Sequence, residues 1–258
     1  MKGTFTITFG DQAENHVGMQ KIGSCCNSGL SLEDFFAIRK CLSKREINCE
    51  IIDLNHVIQK IGIYPDEEAY LLIIRNGVNL LLEDEDANNN LFDELSNLSW
   101  DTKALMYGRV VNKNARYNLC FNDVGQKPNY ELGQGTITAF KKVPLLSQLR
   151  ECMINLITPI NTLVAEGNYY YDTTKCGIGF HGDSERKIVI GVRIGESMKL
   201  VYQWYKESKP IGEIMTFNFN SGDIYIMSEK AVGTDWKCRS KYTLRHAAGC
   251  DKFIKKIE

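Results

Sequence analysis

The feature that most constrains the fold is a succession of short apolar segments that begins after residue 160. Leu163–Tyr171, Gly177–His181, Lys187–Ile194, Lys199–Trp204, Ile214–Phe219, Asp223–Met227 and Lys241–Ala247 each read as a strand, and Gly195, Ser221-Gly222 and Gly249 punctuate them. Short strands at regular spacing predict a sandwich or a jelly-roll barrel. Pro144–Ile157, just before them, has apolar residues at helical spacing and a proline where a helix tolerates one.

The first hundred residues alternate in type. Thr4–Phe9 reads as a strand, and so do the β-branched runs Cys49–Leu54 and Ala69–Arg75. Ser31–Arg45 reads as a helix, with Ser31 as N-cap and Asp34 completing an imperfect capping box. Asn76-Gly77 between Ile74 and Val78 predicts a hairpin turn. Glu83–Asp86 is an acidic loop and Ala87–Leu98 a helix. The expected class is therefore α+β. A sandwich or jelly-roll domain over 104–258 follows a small acidic α/β domain over 1–103, with the boundary near Trp100–Tyr107.

Charge supports this division. The net charge of -1 hides an excess of eight acidic groups in residues 1–100 and of seven basic groups in 101–258. The basic half is a permissible nucleic-acid surface and the acidic half a poor one. No apolar run reaches the roughly 18 residues of a membrane span, and Met1–Asp11 lacks the pattern of a secretion signal. The nine cysteines are scattered and lack CxxC spacing, which fits reduced thiols in an intracellular, cytoplasmic or nuclear protein and excludes a zinc knuckle.

Four histidines are present: His16, His56, His181 and His246. His181-Gly182-Asp183 stands at a strand end. In an extended chain, residues i and i+2 point to the same side, so this pair can grip one ion. Imidazole plus carboxylate, with open positions left over, is the facial triad of non-haem iron(II) oxygenases. His246 is the one later histidine that can complete it. His56, after Asn55 at a helix start, reads as structural. The polar stretch Asp11–Lys21, with Glu14, His16 and Met19, reads as a capped loop and helix start, or as a small-molecule or partner site. Trp204 and Trp236 read as core or rim.

The stretch from Asn168-Tyr-Tyr-Tyr-Asp172 through Gly177-Ile-Gly-Phe-His181-Gly-Asp183-Ser-Glu185-Arg186 resembles the core of AlkB-type 2-oxoglutarate-dependent dioxygenases, over about residues 104–258. The resemblance implies a double-stranded β-helix (jelly-roll) catalytic domain over 104–258, with iron(II), 2-oxoglutarate and dioxygen as cofactor and co-substrates. It implies that Asn168 and Tyr170 contact 2-oxoglutarate, that Glu185 helps read the substrate, and that Arg116-Tyr117-Asn118 belongs to a substrate lid. It also implies that the keto acid is oxidised to succinate and carbon dioxide while the substrate gains a hydroxyl.

The family places an R-x5-R pair after the distal histidine. Arg239 and Arg245 have that spacing, yet no histidine lies between Asp223 and Arg239, and Lys237 stands about where the ligand would be. Two readings stay open. In one, His246 is the third ligand and a later base anchors 2-oxoglutarate, Lys255 or else Lys252 or Lys256. In the other, Arg245 is the anchor and iron keeps only His181 and Asp183 from the protein. A nucleic-acid base is the first substrate expectation, with oxidative dealkylation or hydroxylation as the reaction. Near-neutral charge and the lack of a basic arm argue against tight duplex binding. A protein or small-molecule hydroxylase is the alternative. A non-catalytic interaction module is a second one.

Overall fold

Strand β1 (Thr4–Gly10) alternates Thr4, Thr6 and Thr8 with Phe5, Ile7 and Phe9, and the fold is organised around its two faces. In the computed structural model, which describes residues 3–157 and 160–255, a small hairpin of β2 (Gln12–Glu14) and β3 (Lys21–Gly23) follows it. Helix α1 (Leu32–Ser43), β4 (Glu50–Asp53), α2 (His56–Gln59), β5 (Tyr70–Ile74), α3 (Gly77–Leu82) and α4 (Ala87–Ser96) complete the first hundred residues. Next come a second hairpin, β6 (Lys103–Met106) and β7 (Arg109–Asn112), then β8 (Tyr117–Asn122), β9 (Ile137–Ala139) and α5 (Pro144–Leu156). The strand-rich remainder is β10 (Val164–Tyr170), β11 (Gly177–His181), β12 (Val189–Gly195), β13 (Met198–Lys206), β14 (Lys209–Phe219) and β15 (Ile224–Met227), then α6 (Glu229–Val232), β16 (Thr243–Gly249) and α7 (Asp251–Ile254).

An eight-stranded sheet runs in the order β4-β5-β15-β12-β1-β10-β8-β9, and a four-stranded sheet in the order β11-β16-β13-β14. All neighbours are antiparallel except β8 and β9. The larger sheet is buried on both faces. Phe5, Ile7 and Phe9 pack with Ile190, Val192 and Ile194 under α1, α3, α4 and α5. On the opposite face Leu71, Ile73, Tyr225 and Met227 meet Leu200, Tyr202 and Leu244 of the smaller sheet. Each such large apolar side chain contributes about 2 kcal/mol on leaving water, so the period-2 pattern holds three layers: helices, large sheet, small sheet. Thr4, Thr6 and Thr8 turn toward the interior between the sheets, where polar groups collect.

The capping box at Ser31 is present: Ser31 Oγ accepts from the Asp34 N–H at 3.2 Å, and the Asp34 carboxylate accepts from the Ser31 N–H at 2.8 Å. Two local expectations differ. Asn76-Gly77 is not a hairpin turn. Asn76 takes a left-handed conformation (φ 51°) and caps α3, because its N–H donates to Asp223 and the Val78 N–H donates to the Gly222 carbonyl. Asp11–Lys21 starts no helix but forms the β2–β3 hairpin. The boundary expected near Trp100–Tyr107 separates no sheets, since β1, β4 and β5 hydrogen-bond into the sheet that holds β8, β10, β12 and β15. An apolar strand reads alike whether its partner is ten or two hundred residues away. No helix among the described residues is long and apolar enough to cross a membrane, and the nine cysteines are all free.

Candidate metal centre

β11 and β16 are antiparallel neighbours in the smaller sheet, and their register sets His181 directly opposite His246. The two rings are 4.5 Å apart, edge to face. Asp183, two residues past the end of β11, brings its carboxylate between them: Oδ1 lies 3.6 Å from His181 Nε2 and Oδ2 lies 3.9 Å from His246 Nε2. One ligand atom from each of the three residues falls within 4.8 Å of the others. Two imidazole nitrogens and one carboxylate oxygen suit a first-row divalent metal and leave coordination positions open.

The surroundings prepare the nitrogens. His181 Nδ1–H donates to the Gly179 carbonyl at 2.7 Å, which fixes the tautomer and leaves the Nε2 lone pair for a ligand. Burial holds His246 well below its usual titration range, and His181 and Arg186 add to the effect. A neutral imidazole is the ligand form. The Ala231 backbone lies against His246 without reaching hydrogen-bond geometry at the buried Nδ1. The glycine between the first two ligands is also needed: a Cβ on Gly182 would collide with the Gly233 carbonyl oxygen. The same close approach lets the Asp183 N–H donate to Val232 at 3.0 Å. Arg186, 3% exposed, stands behind Asp183. It is bound to Glu166 at 2.6 Å and Glu185 at 2.7 Å and lies 3.9 Å from Asp183.

His181 and Asp183 stand between two chambers and line both, whereas His246 faces the inner one. The inner cavity lies between the sheets and is lined by Thr6, Asn168, Tyr170 and Arg193 together with the triad. Its volume of about 70 Å³ accommodates roughly five ordered waters. The outer cleft, about 700 Å³, is bounded by the β2–β3 hairpin, the Ser184–Arg186 turn and Trp236-Lys237.

Arg193 dominates the inner cavity. Its side chain is fully buried. Its one hydrogen bond runs from Nη1 to Met198 Sδ at 3.4 Å, and Nε has no partner. No carboxylate pairs with it among the described residues, and burial lowers its pKa below the ordinary guanidinium range. Thr6 is its cross-strand neighbour, with an equally unpartnered Oγ1. The Tyr202 hydroxyl, on the strand beside His246, is a third buried orphan. A buried charge without a counter-ion costs several kcal/mol, and orphaned polar groups cost 1–3 kcal/mol each. A set of this kind is poised for an anion.

The chain is 54% identical over 255 residues to the uncharacterized protein R156 of Acanthamoeba polyphaga mimivirus, an alignment that spans 99% of each chain. It belongs to that protein's family. No protein-family model matches the chain.

Within this family member the expected site residues fall into two groups. His181, Asp183 and His246 converge, and Asn168 and Tyr170 line the inner cavity. Asn168 Oδ1 accepts from Arg116 Nε at 2.5 Å and from Asn118 Nδ2 at 2.7 Å. Glu185 lines the outer cleft. Arg245, Lys255 and Tyr117 stand elsewhere. Strand alternation turns Arg245 to the face opposite His246, where its guanidinium lies 4.0 Å over the Tyr205 ring and donates to the Trp236 carbonyl. Lys255 is exposed and paired with Asp251 at 2.6 Å, on the outer side of the small sheet. Lys252 packs over Phe253, and Lys256 lies outside the described residues. Tyr117 stacks on Tyr171 at 4.7 Å, while its neighbours Arg116 and Asn118 face inward. Lys237 sits at the cleft rim over Trp236. Trp204 is core, its indole N–H donating to Leu54. Arg193 and Thr6 were not legible as site residues. Their one local signal is a charged or polar residue at an inward position of an otherwise apolar strand.

Proposed function

We propose that the chain is an iron(II)- and 2-oxoglutarate-dependent oxygenase, with His181, Asp183 and His246 as metal ligands and Arg193 as the anchor of the keto acid. The observation that carries this reading is a fully buried guanidinium, with no carboxylate partner among the described residues, in the cavity of a His/Asp/His cluster. The donor set fits iron(II). A planar guanidinium fits a carboxylate through paired hydrogen bonds.

The architecture supports the reading as a double-stranded β-helix built from β1 and β10–β16. In it, β10, β1, β12 and β15 face the four-stranded sheet. β1 fills the place between β10 and β12, so the strand that closes the large half comes from the N-terminus. No strand follows β16 among the described residues. Thr6 on β1 and the adjacent Arg193 on β12 then supply the polar and cationic groups of the cavity.

Each residue has a task in this scheme. His181 and His246 offer Nε2, and Asp183 offers one carboxylate oxygen. Arg193 and Thr6 hold the distal carboxylate of 2-oxoglutarate, and Asn168 and Tyr170 shape the wall beside it. The two-sheet core keeps bulk water from the inner chamber. Bound iron(II) supplies the redox chemistry by which dioxygen and 2-oxoglutarate become succinate, carbon dioxide and one hydroxyl on the substrate. The substrate enters through the outer cleft. A nucleic-acid base, a protein side chain and a small molecule are the candidate classes.

Anaerobic titration of the protein with iron(II) and 2-oxoglutarate tests the proposal. The expected result is the weak visible charge-transfer band of a chelated keto acid, together with calorimetric binding of 2-oxoglutarate that Arg193→Met abolishes. Absence of both the band and the binding overturns the oxygenase reading in favour of a non-catalytic module.

A further inference from the structure

The outer cleft contains a carboxylate that the metal site does not use. Glu14, on β2, is 9% exposed and lines the cleft with His181, Asp183 and Glu185. One oxygen accepts from the Gly18 N–H at 2.8 Å within the hairpin. No cation reaches ion-pair distance of it among the described residues. Lys21 is its cross-strand partner but is exposed and makes no ion pair with it. Of the other acidic side chains of the cleft wall, Asp183 belongs to the candidate metal cluster, and Glu166 and Glu185 share the single guanidinium of Arg186. Glu14 is therefore the cleft carboxylate without an ion-pair partner among the described residues, and burial pushes its carboxyl up, with Glu185 and Glu166 adding to the effect and the Gly18 N–H and Lys21 opposing it.

The cleft beyond Glu14 has a graded character. Its less exposed wall holds Glu14, Glu166, Asp183 and Glu185, with Arg186 bound among them and the half-buried Arg116 turned to Asn168. Met19, Ile178 and Trp236 give it apolar sides, and the solvated cations Lys21 and Lys237 stand at the rim. Rim charges in water contribute little, whereas a charge at the buried end of a cleft acts at lower effective dielectric. An aliphatic stem with a cationic tip matches this gradient: its methylenes lie along apolar walls and its head meets a carboxylate.

We propose that Glu14 binds a cationic group of the substrate, an ammonium or guanidinium on an aliphatic stem as in lysine or arginine, and that this contact sets specificity in the outer cleft. The proposal rests on the oxygenase reading for what then happens to the substrate, but the binding itself needs neither oxygen nor turnover. A free amino acid and a residue within a polypeptide offer the same group, and binding separates these sources.

The test is calorimetry on the full chain, with free L-lysine and L-arginine, with short peptides that carry one central Lys or Arg, and with norleucine and citrulline as uncharged counterparts. The wild type should bind at least one cationic probe more than about tenfold tighter than its uncharged counterpart. Glu14→Gln keeps an acceptor for Gly18 and should erase that preference, while affinity for 2-oxoglutarate stays unchanged. Peptide binding without amino-acid binding identifies a polypeptide substrate, and the reverse a free one. Equal binding of charged and uncharged probes, an unchanged preference in Glu14→Gln, or binding of nucleosides and single-stranded oligonucleotides in place of all these probes overturns the proposal. Failure of 2-oxoglutarate to bind, with the cation preference intact, overturns the oxygenase reading alone.

Discussion

Thr6 and Arg193 face each other across the β1–β12 pair, and both turn unpartnered polar atoms into the cavity that holds His181, Asp183 and His246. The pairing joins residues 187 positions apart in the chain, one at its start and one in its second half. An unpaired guanidinium between two sheets destabilises the ligand-free protein, and an anion that binds it recovers the loss.

Arg193→Met keeps the length of the side chain and removes the charge. The ligand-free variant should melt at or above the wild-type temperature, because a buried uncompensated charge is gone. 2-Oxoglutarate with manganese(II) should raise the wild-type melting temperature, by about 2.7 kcal/mol of stability at a hundredfold excess over Kd, and should leave the variant unmoved. Scanning calorimetry with and without the keto acid reads both effects. A variant that still responds to 2-oxoglutarate removes Arg193 from the anchor role.

Gly182 and Gly233 touch backbone to backbone between the first two ligands. Gly182→Ala puts a methyl group into the Gly233 carbonyl and should break the Asp183-to-Val232 hydrogen bond that aims the carboxylate. The expected loss is about 10- to 100-fold in metal affinity, the range seen when support behind a ligand is removed. Manganese(II) binding followed by electron paramagnetic resonance measures it. Tight binding in Gly182→Ala would show that this contact does not position Asp183.

His246 and Arg245 are adjacent and face opposite sides of β16. His246→Ala should weaken metal binding by at least about 100-fold, or ~2.7 kcal/mol, and abolish 2-oxoglutarate turnover. Arg245→Ala should leave keto-acid binding intact. It removes two cation–π contacts, with Tyr205 and Trp236, and one hydrogen bond and should cost about 1–2 kcal/mol of stability, measured by urea unfolding. The opposite pattern, a loss of 2-oxoglutarate binding in Arg245→Ala with a mild effect in His246→Ala, would restore Arg245 as the anchor.

The legible parts of the site are those set by local geometry. His181 and Asp183 belong to one strand end, so a two-residue spacing suffices to place them together. His246 is inward because β16 alternates, and four histidines leave few alternatives. The proposed anchor is different. The R-x5-R spacing around Arg245 is correct along the chain but puts the guanidinium on the wrong face of β16. Arg193 is selected by its pairing with β1, a long-range event with no local signature. The same event puts strands from both expected spans into one sheet, and the alternation of Thr and Phe along β1 does not show it, being the same in a free-standing domain as in the middle of a large sheet. Tyr117 illustrates a smaller failure, in which a shift of one residue in strand phase exchanges it for Arg116 and Asn118.

Lys113 supplies a prediction remote from the metal ligands. Its ammonium is 8% exposed and donates to Asn15 at 2.7 Å and Asn118 at 2.9 Å. Burial lowers its pKa to about 8, with Asp101 and Glu166 acting upward and Arg116 downward. The folded-state pKa lies below that of the unfolded chain, so between about pH 8 and the usual lysine range the unfolded state holds the extra proton. Stability then rises with pH across that window. The rise from this one group is on the order of 3 kcal/mol. Below pH 8 both states are protonated and the penalty is constant. Lys113→Met lacks this component. The difference in unfolding free energy between wild type and variant, measured by denaturant titration from pH 7 to pH 10.5, should therefore shift in favour of the wild type as pH increases. A difference that is flat across this range would show that Lys113 is solvated in the folded protein.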